Sequence, residues 1–173
     1  MTYIARTAVL IATITPLVAC AARADGSSDP AAIRSKHGEY FDKAGNPTFK
    51  IAKDGTVDWY TYSGYLRYGA NCLQCHGPDG LGSSYAPSLA DSLKSLSYPD
   101  FLSIVASGKQ DVNAAQQLVM PSFGTNRNVM CYIDPIFIYL RARSDEALAR
   151  GLPAKHEPNS EAFKKAEDAC MDN

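Results

Sequence analysis

Apolar residues are distributed along the chain in several distinct patterns. The first is an apolar run from Ala8 to Ala19, preceded by Arg6 and followed by small residues. The second is sparse: Phe41, Phe49, Ile51 and Val57 fall around the turn signals KAGNP and KDGT, which predicts a small β-hairpin or two short strands. Helical spacing then takes over. In DWYTYSGYLRYGANCLQC, Gly64, Tyr68 and Cys72 recur every four residues and so share one helical face. SLKSLSYPDFLSIVASGK has Pro99 near its start, apolar Phe101, Leu102, Ile104 and Val105, and Gly108 as a stop, which predicts a middle helix. CYIDPIFIYLRAR predicts another, with Ile136 and Tyr139 three apart on one face. The Gly64/Tyr68 and Ile136/Tyr139 pairs are expected to pack on each other. Beyond the breakers Gly151, Pro153 and Pro158, NSEAFKKAEDACM predicts a short terminal helix. It is polar and weakly amphipathic, so its own pattern does not explain why it should stay ordered.

The first apolar run is too short to span a membrane comfortably and reads as a secretory signal over residues 1–24. Ala22-Arg23-Ala24 before Asp25 fits a small-x-small cleavage site. Leu17-Val18-Ala19-Cys20 resembles a bacterial lipobox, in which Cys20 would be lipidated; only then would the chain be held at a membrane. On both readings the mature chain leaves the cytoplasm. The remainder, 46% hydrophobic and 20% charged over the whole chain, suits one globular domain with extensions. A formal net charge of −1 without a basic tract argues against nucleic acid as a partner. Removing Arg6 and Arg23 takes the 17 basic residues to 15 against 18 acidic ones, a net −3. Of five cysteines, Cys72, Cys75, Cys131 and Cys170 would remain beside a lost or lipidated Cys20. An even number in an oxidising compartment suggests that every thiol is used.

The densest chemistry is Cys72-Leu73-Gln74-Cys75-His76. A structural zinc site needs four ligands, normally as two pairs, and no second pair exists: Cys131, Cys170, His37 and His156 are isolated. A thioredoxin-like dithiol needs no adjacent histidine and expects a strand-to-helix setting, which the flanking sequence lacks. Covalent haem attachment uses the whole set: two thioethers from Cys72 and Cys75, and His76 as proximal iron ligand. One motif implies one haem c. Those two cysteines are then consumed, so Cys170 has Cys131 as its remaining partner. A bridge between them would strap the tail across the core and close a loop of nearly forty residues, worth about 4 kcal/mol on the chain-entropy model. The alternative is two free buried thiols.

The glycine-aromatic face of the first helix resembles class I cytochromes c, where it lets the last helix cross closely. In that family a proline carbonyl about ten residues downstream holds the second ring nitrogen of the histidine. The resemblance assigns this role to Pro87, after the glycine-rich GPDGLGSSY, although a plain turn proline is the alternative. VMPSFG similarly resembles the distal methionine loop of the family. Pro121 disfavours helix at Met120 and favours an extended loop, so Met120 is the expected sixth ligand. Met130, beside Cys131 at the expected start of the last helix, is the runner-up; Met171, His37 and His156 are weaker candidates. Methionine–histidine ligation leaves no open iron position and raises the potential, so such a site transfers electrons.

The wider pattern, from TVDWYTYSGYLRYGANCLQCHGPDGLGSSYAPSL through MPSFG and NVMCYIDPIFIYLRAR to a tail with RGLPAKH and a final cysteine, resembles the four-cysteine cytochromes c of methanol metabolism. It is also similar to cytochromes that accept electrons from quinoprotein alcohol dehydrogenases. The resemblance implies a mostly α class I cytochrome c fold around one covalent haem, with a small N-terminal β-hairpin and a strapped C-terminal extension. Its divisions are residues 1–24 (signal), 25–57 (extension with the hairpin), 58–143 (haem domain) and 144–173 (tail). It further implies a periplasmic electron carrier, not an enzyme. The donor would be a PQQ-dependent methanol or alcohol dehydrogenase, and a downstream cytochrome or oxidase would take the electrons on. The flanking loops, small and uncharged apart from Asp79, would form the contact. Two other readings remain: a general shuttle to an oxidase, and a haem enzyme or gas sensor with an open distal site.

Overall fold

The structure, a computed structural model, describes residues 30–112 and 117–172. The signal sequence and Cys20 lie outside them. The described chain runs β1 (Arg34–Lys36), β2 (Glu39–Phe41), β3 (Pro47–Thr48), α1 (Trp59–Asn71), α2 (Leu73–His76), a 3-10 turn (Pro78–Gly80), α3 (Leu89–Ser92), α4 (Tyr98–Ser107), β4 (Lys109–Val112), β5 (Gln117–Met120), α5 (Arg127–Met130), α6 (Ile133–Ser144) and α7 (Glu161–Met171). It is mostly helical, as the resemblance implied.

The centre of the fold is the crossing of α1 on α6. Asp58 caps α1 by accepting from the Thr61 backbone N–H at 2.9 Å and the Thr61 hydroxyl at 2.6 Å. Helix α6 is apolar nearly all round, from Ile133 through Ala142, which suits a helix enclosed on every side. Gly64 makes the close crossing possible: a Cβ there would stand 1.8 Å from the Pro135 carbonyl oxygen and 2.8 Å from Tyr139 Cβ. Tyr68 and Tyr139 meet one turn on, with ring centroids 5.4 Å apart.

The N-terminal region differs from the simple hairpin expected. It is a three-stranded antiparallel sheet in the order β1-β2-β3, with Arg34 opposite Phe41 and Tyr40 opposite Thr48. Ile51 and Val57 contribute a single bridge, and Val57 also bridges His156 in the tail. The sheet is joined to α6 by Arg141, which pairs with Asp42 at 2.9 Å and donates to the Pro47 carbonyl at 3.0 Å. Arg141 and Asp42 are both buried, so losing either partner would strand a charge in the interior, which is far costlier than the pair is stabilising.

The tail is strapped as expected, by a disulfide between Cys131 and Cys170. Cys131 lies in the turn between α5 and α6 and does not open the last long helix. Helix α7 has holds of its own as well. Phe163 is buried edge-on to Tyr60 at 4.9 Å, and Arg67 lies over the Tyr132 ring at 3.4 Å while pairing with Glu167 at 3.1 Å. No helix among the described residues is long and apolar enough to cross a membrane.

Candidate functional site

Helix α1 ends at Asn71, and Cys72 starts one further turn. Cys75 N–H and His76 N–H both return to the Cys72 carbonyl, at 3.2 and 2.9 Å. Both thiols and the imidazole therefore leave the same turn. The chain then doubles back, with Gly82 N–H donating to the His76 carbonyl at 2.8 Å. The Tyr68 hydroxyl, rising from α1, donates to the Gly77 carbonyl and accepts from Gly80 N–H at 3.1 Å. This loop carries Pro87 back to the histidine: His76 Nδ1 lies 3.0 Å from the Pro87 carbonyl oxygen. A carbonyl only accepts, so Nδ1 holds the proton and Nε2 keeps its lone pair free for a metal. The ring is 7% exposed.

Met120 stands opposite this turn. It ends β5, paired with Lys109 at the start of β4, in a hairpin the sequence pattern did not predict. The hairpin and its following loop are fastened to the end of α4, whose last carbonyls lack helical partners. Phe123 N–H reaches the Val105 carbonyl and Gly124 N–H the Ala106 carbonyl, both at 3.0 Å, and the Ser122 hydroxyl adds 2.5 Å to Ala106. Gly108 turns the chain from α4 into β4 at φ +76°, and a Cβ there would stand 2.6 Å from the Met120 carbonyl oxygen.

Between the two walls lies a cleft of about 220 Å³, continuous with an apolar cavity of about 40 Å³; both are lined by Cys72, His76, Leu89, Ile104, Met120 and Phe123. Cys75 and Pro87 line the cleft as well. Met130 lines a different cavity, behind α6, and Met171, His37 and His156 line neither space. A larger, open depression of about 700 Å³ beside the N-terminal sheet has no cysteine, histidine or methionine in its wall. Asp79 also departs from expectation. It is buried, pairs with Arg150 at 3.0 Å and accepts from Gly151 N–H at 2.8 Å, so it ties the tail down and is no surface charge. Burial alone would raise its carboxyl, but Gly151, Arg150 and Arg143 hold it below the usual carboxylate range. The sequence reading missed Leu89, Ile104, Phe123 and the exposed Tyr85 and Val119 as cleft residues. Ile104 carried a signal as an apolar position of the middle helix, Val119 and Phe123 as members of VMPSFG, and Tyr85 as a member of a flanking loop.

The donor set fits a covalently held haem. Cys72 and Cys75 are free of the disulfide. Burial, helped by neighbouring Cys75, pushes the Cys72 thiol up to about 11, the reverse of what a thiol-exchange pair requires. Among the described residues no three His, Cys, Asp or Glu side chains gather as a metal site would need. An apolar slot with two thiols and a free imidazole nitrogen at one wall and a thioether at the other matches a flat apolar macrocycle around a metal.

No family model matches the chain. Cytochrome c-555 of Methylococcus capsulatus is 36% identical over 96 residues, 55% of this chain and 72% of that protein. The crystal structure of the c-type cytochrome XoxG from Methylobacterium extorquens AM1 superposes with a TM-score of 0.76 at 52% identity, covering 82% of this chain and 86% of that one. The chain belongs to the class I c-type cytochromes. Cytochrome c-553I of Paracoccus denitrificans is 56% identical over 136 residues, 79% of this chain, and the cytochrome spans 60% of that relative's length. As a c-type cytochrome, the chain is a haem c protein, and the Cys72-to-His76 turn is where the haem fits.

Proposed function

We propose that the cytochrome is a periplasmic, single-haem electron acceptor of a PQQ-dependent methanol or alcohol dehydrogenase, and that it passes electrons on to the respiratory chain. One observation carries the electron-transfer part: a single apolar cleft brings Cys72, Cys75, His76 and Met120 together. In this reading Cys72 and Cys75 form the thioethers, His76 Nε2 and Met120 Sδ hold the iron, and the Pro87 carbonyl orients the imidazole. Residues 58–143 form the haem domain, and residues 1–24 direct export. Haem c supplies an iron that takes and gives one electron without a bond being made or broken. The chain's own part would be to hold the iron through His76 and Met120, keep water out with Leu89, Ile104 and Phe123, and present an edge to the partner. Tyr85 and Val119, 74% and 59% exposed at the cleft, make that edge a small apolar contact suited to a transient complex.

The donor is argued from the sequence resemblance to methanol-related cytochromes and from the strapped tail, which a general shuttle does not need. Stopped-flow mixing of the oxidised cytochrome with substrate-reduced dehydrogenase from the same organism tests it. Reduction should be faster than that of an unrelated class I cytochrome c, and Tyr85→Ser and Val119→Ser should slow it. Equal rates, unchanged in both variants, would leave a general shuttle.

A further inference from the structure

Glu39, in β2, meets Asp134, in the first turn of α6, with their carboxyls within hydrogen-bonding reach. Two carboxyls share a hydrogen bond only with a proton between them. The pair borders a cavity of about 170 Å³, lined in part by Tyr60, Ile133, Phe163 and Glu167, where Glu39 Oε1 is buried without a partner. The Tyr98 hydroxyl, from α4, donates to Asp134 Oδ1. The other groups facing the pair are Asp58 and Tyr60 from the start of α1, Glu167 from α7 and Lys36 from β1. Of these only Lys36 favours ionisation of Glu39. Burial first, then the Asp134 charge and their shared hydrogen bond, raise the Glu39 carboxyl from 4.5 to about 8.

The pair stands behind the haem pocket. Asp134 lies between Ile133 and Ile136, and both of these line the small cavity that His76 and Met120 share. Tyr98 packs on Phe137 at 4.8 Å, and Phe101, one turn along α4, lines the same cavity. A charge appearing on the pair is therefore felt through a low-dielectric wall.

We propose that Glu39 and Asp134 form a pH-sensitive switch on the reduction potential of the cytochrome: the proton-sharing pair carries one negative charge, and loss of that proton as pH rises sets a second charge behind the haem pocket. A negative charge stabilises the oxidised, more positive centre, so the potential falls as the pair deprotonates. By linkage, each electron that leaves draws a fraction of a proton from the pair into solvent, and no other group changes oxidation state. The same shift has a sign for stability. The folded chain holds the Glu39 proton more tightly than the unfolded chain, so the contribution is whole below pH 4.5 and is lost as pH rises toward 8.

The inference rests on the bound haem and is independent of the donor, so its failure leaves the stopped-flow result untouched. The test is the reduction potential of the holo-cytochrome across the neutral and alkaline range, with infrared spectra of the same samples. The wild type should show a fall with an inflection near pH 8, and a protonated-carboxyl band that disappears over the same interval. Glu39→Gln should abolish both. Tyr98→Phe removes the hydroxyl that donates to Asp134 Oδ1, so a second negative charge on the pair is less well held and the inflection should move to higher pH, which keeps the test open should Glu39→Gln fold poorly. A wild-type profile without the inflection, an inflection that persists in Glu39→Gln, or one that Tyr98→Phe leaves in place overturns the proposal.

Discussion

The two walls of the haem cleft are built on different principles. The wall bearing Cys72, Cys75 and His76 is a continuation of α1, braced by α6, with Tyr68 and the Pro87 carbonyl bonded into its return loop. The wall bearing Met120 is a two-stranded hairpin whose β4 residues are all exposed, fastened mainly where its loop meets the end of α4. An isolated hairpin is marginal in water. Opening free energy is lowest where few apolar contacts are buried, so the methionine wall is the side expected to yield first, and the histidine wall should follow the global stability of the protein.

Substitutions that act on one wall only sharpen this contrast. Gly64→Val is expected to have the largest effect: its Cβ would stand 1.8 Å from the Pro135 carbonyl, and loss of folded haem protein, or more than about 4 kcal/mol by denaturant unfolding, should follow. A drop of under about 1 kcal/mol would show that the α1–α6 crossing does not support the histidine wall. Cys170→Ser opens a loop with a sequence separation of 39. It should cost up to about 4 kcal/mol globally while leaving the visible and near-infrared haem spectrum unchanged, because the strap bears on neither wall. Gly108→Ala forces a side chain into φ +76° against the Met120 carbonyl. Its cost, about 1–3 kcal/mol, should fall on the methionine wall, seen as faster amide exchange in β4 and β5 with α1 unaffected. Ser122→Ala removes one bond to Ala106 and should do the same more weakly, at about 1 kcal/mol.

What could be read from the sequence follows the same division. The histidine wall is local: Cys72, Cys75 and His76 are adjacent, and Gly64 and Tyr68 reveal the crossing through a four-residue period. The pairing of Cys131 with Cys170 followed from parity once haem had claimed the other two cysteines. The β4–β5 hairpin left no such trace, because β4 is exposed throughout and β5 turns only Leu118 and Met120 inward, too few positions for an alternating pattern to show. The third N-terminal strand, Arg34-Ser35-Lys36, is likewise fully exposed and polar. Asp79 was misplaced because a charge in a glycine-rich loop ordinarily faces water; its partners Arg150 and Gly151 are more than seventy residues away. Helix α7 showed no anchor in the sequence because its buried residue, Phe163, stands alone among charges, with its aromatic partners Trp59 and Tyr60 more than a hundred residues earlier, at the start of α1.

The proposed closure of the iron by His76 and Met120 is the claim on which electron transfer, and nothing else, depends. The most direct measurement is the near-infrared sulfur-to-iron band of the oxidised cytochrome, compared between wild type, Met120→Ala and Met130→Ala. The band should be present in the wild type, persist in Met130→Ala, whose side chain lines the cavity behind α6, and vanish in Met120→Ala. A band that survives in Met120→Ala, or that is absent from the wild type, would contradict the account.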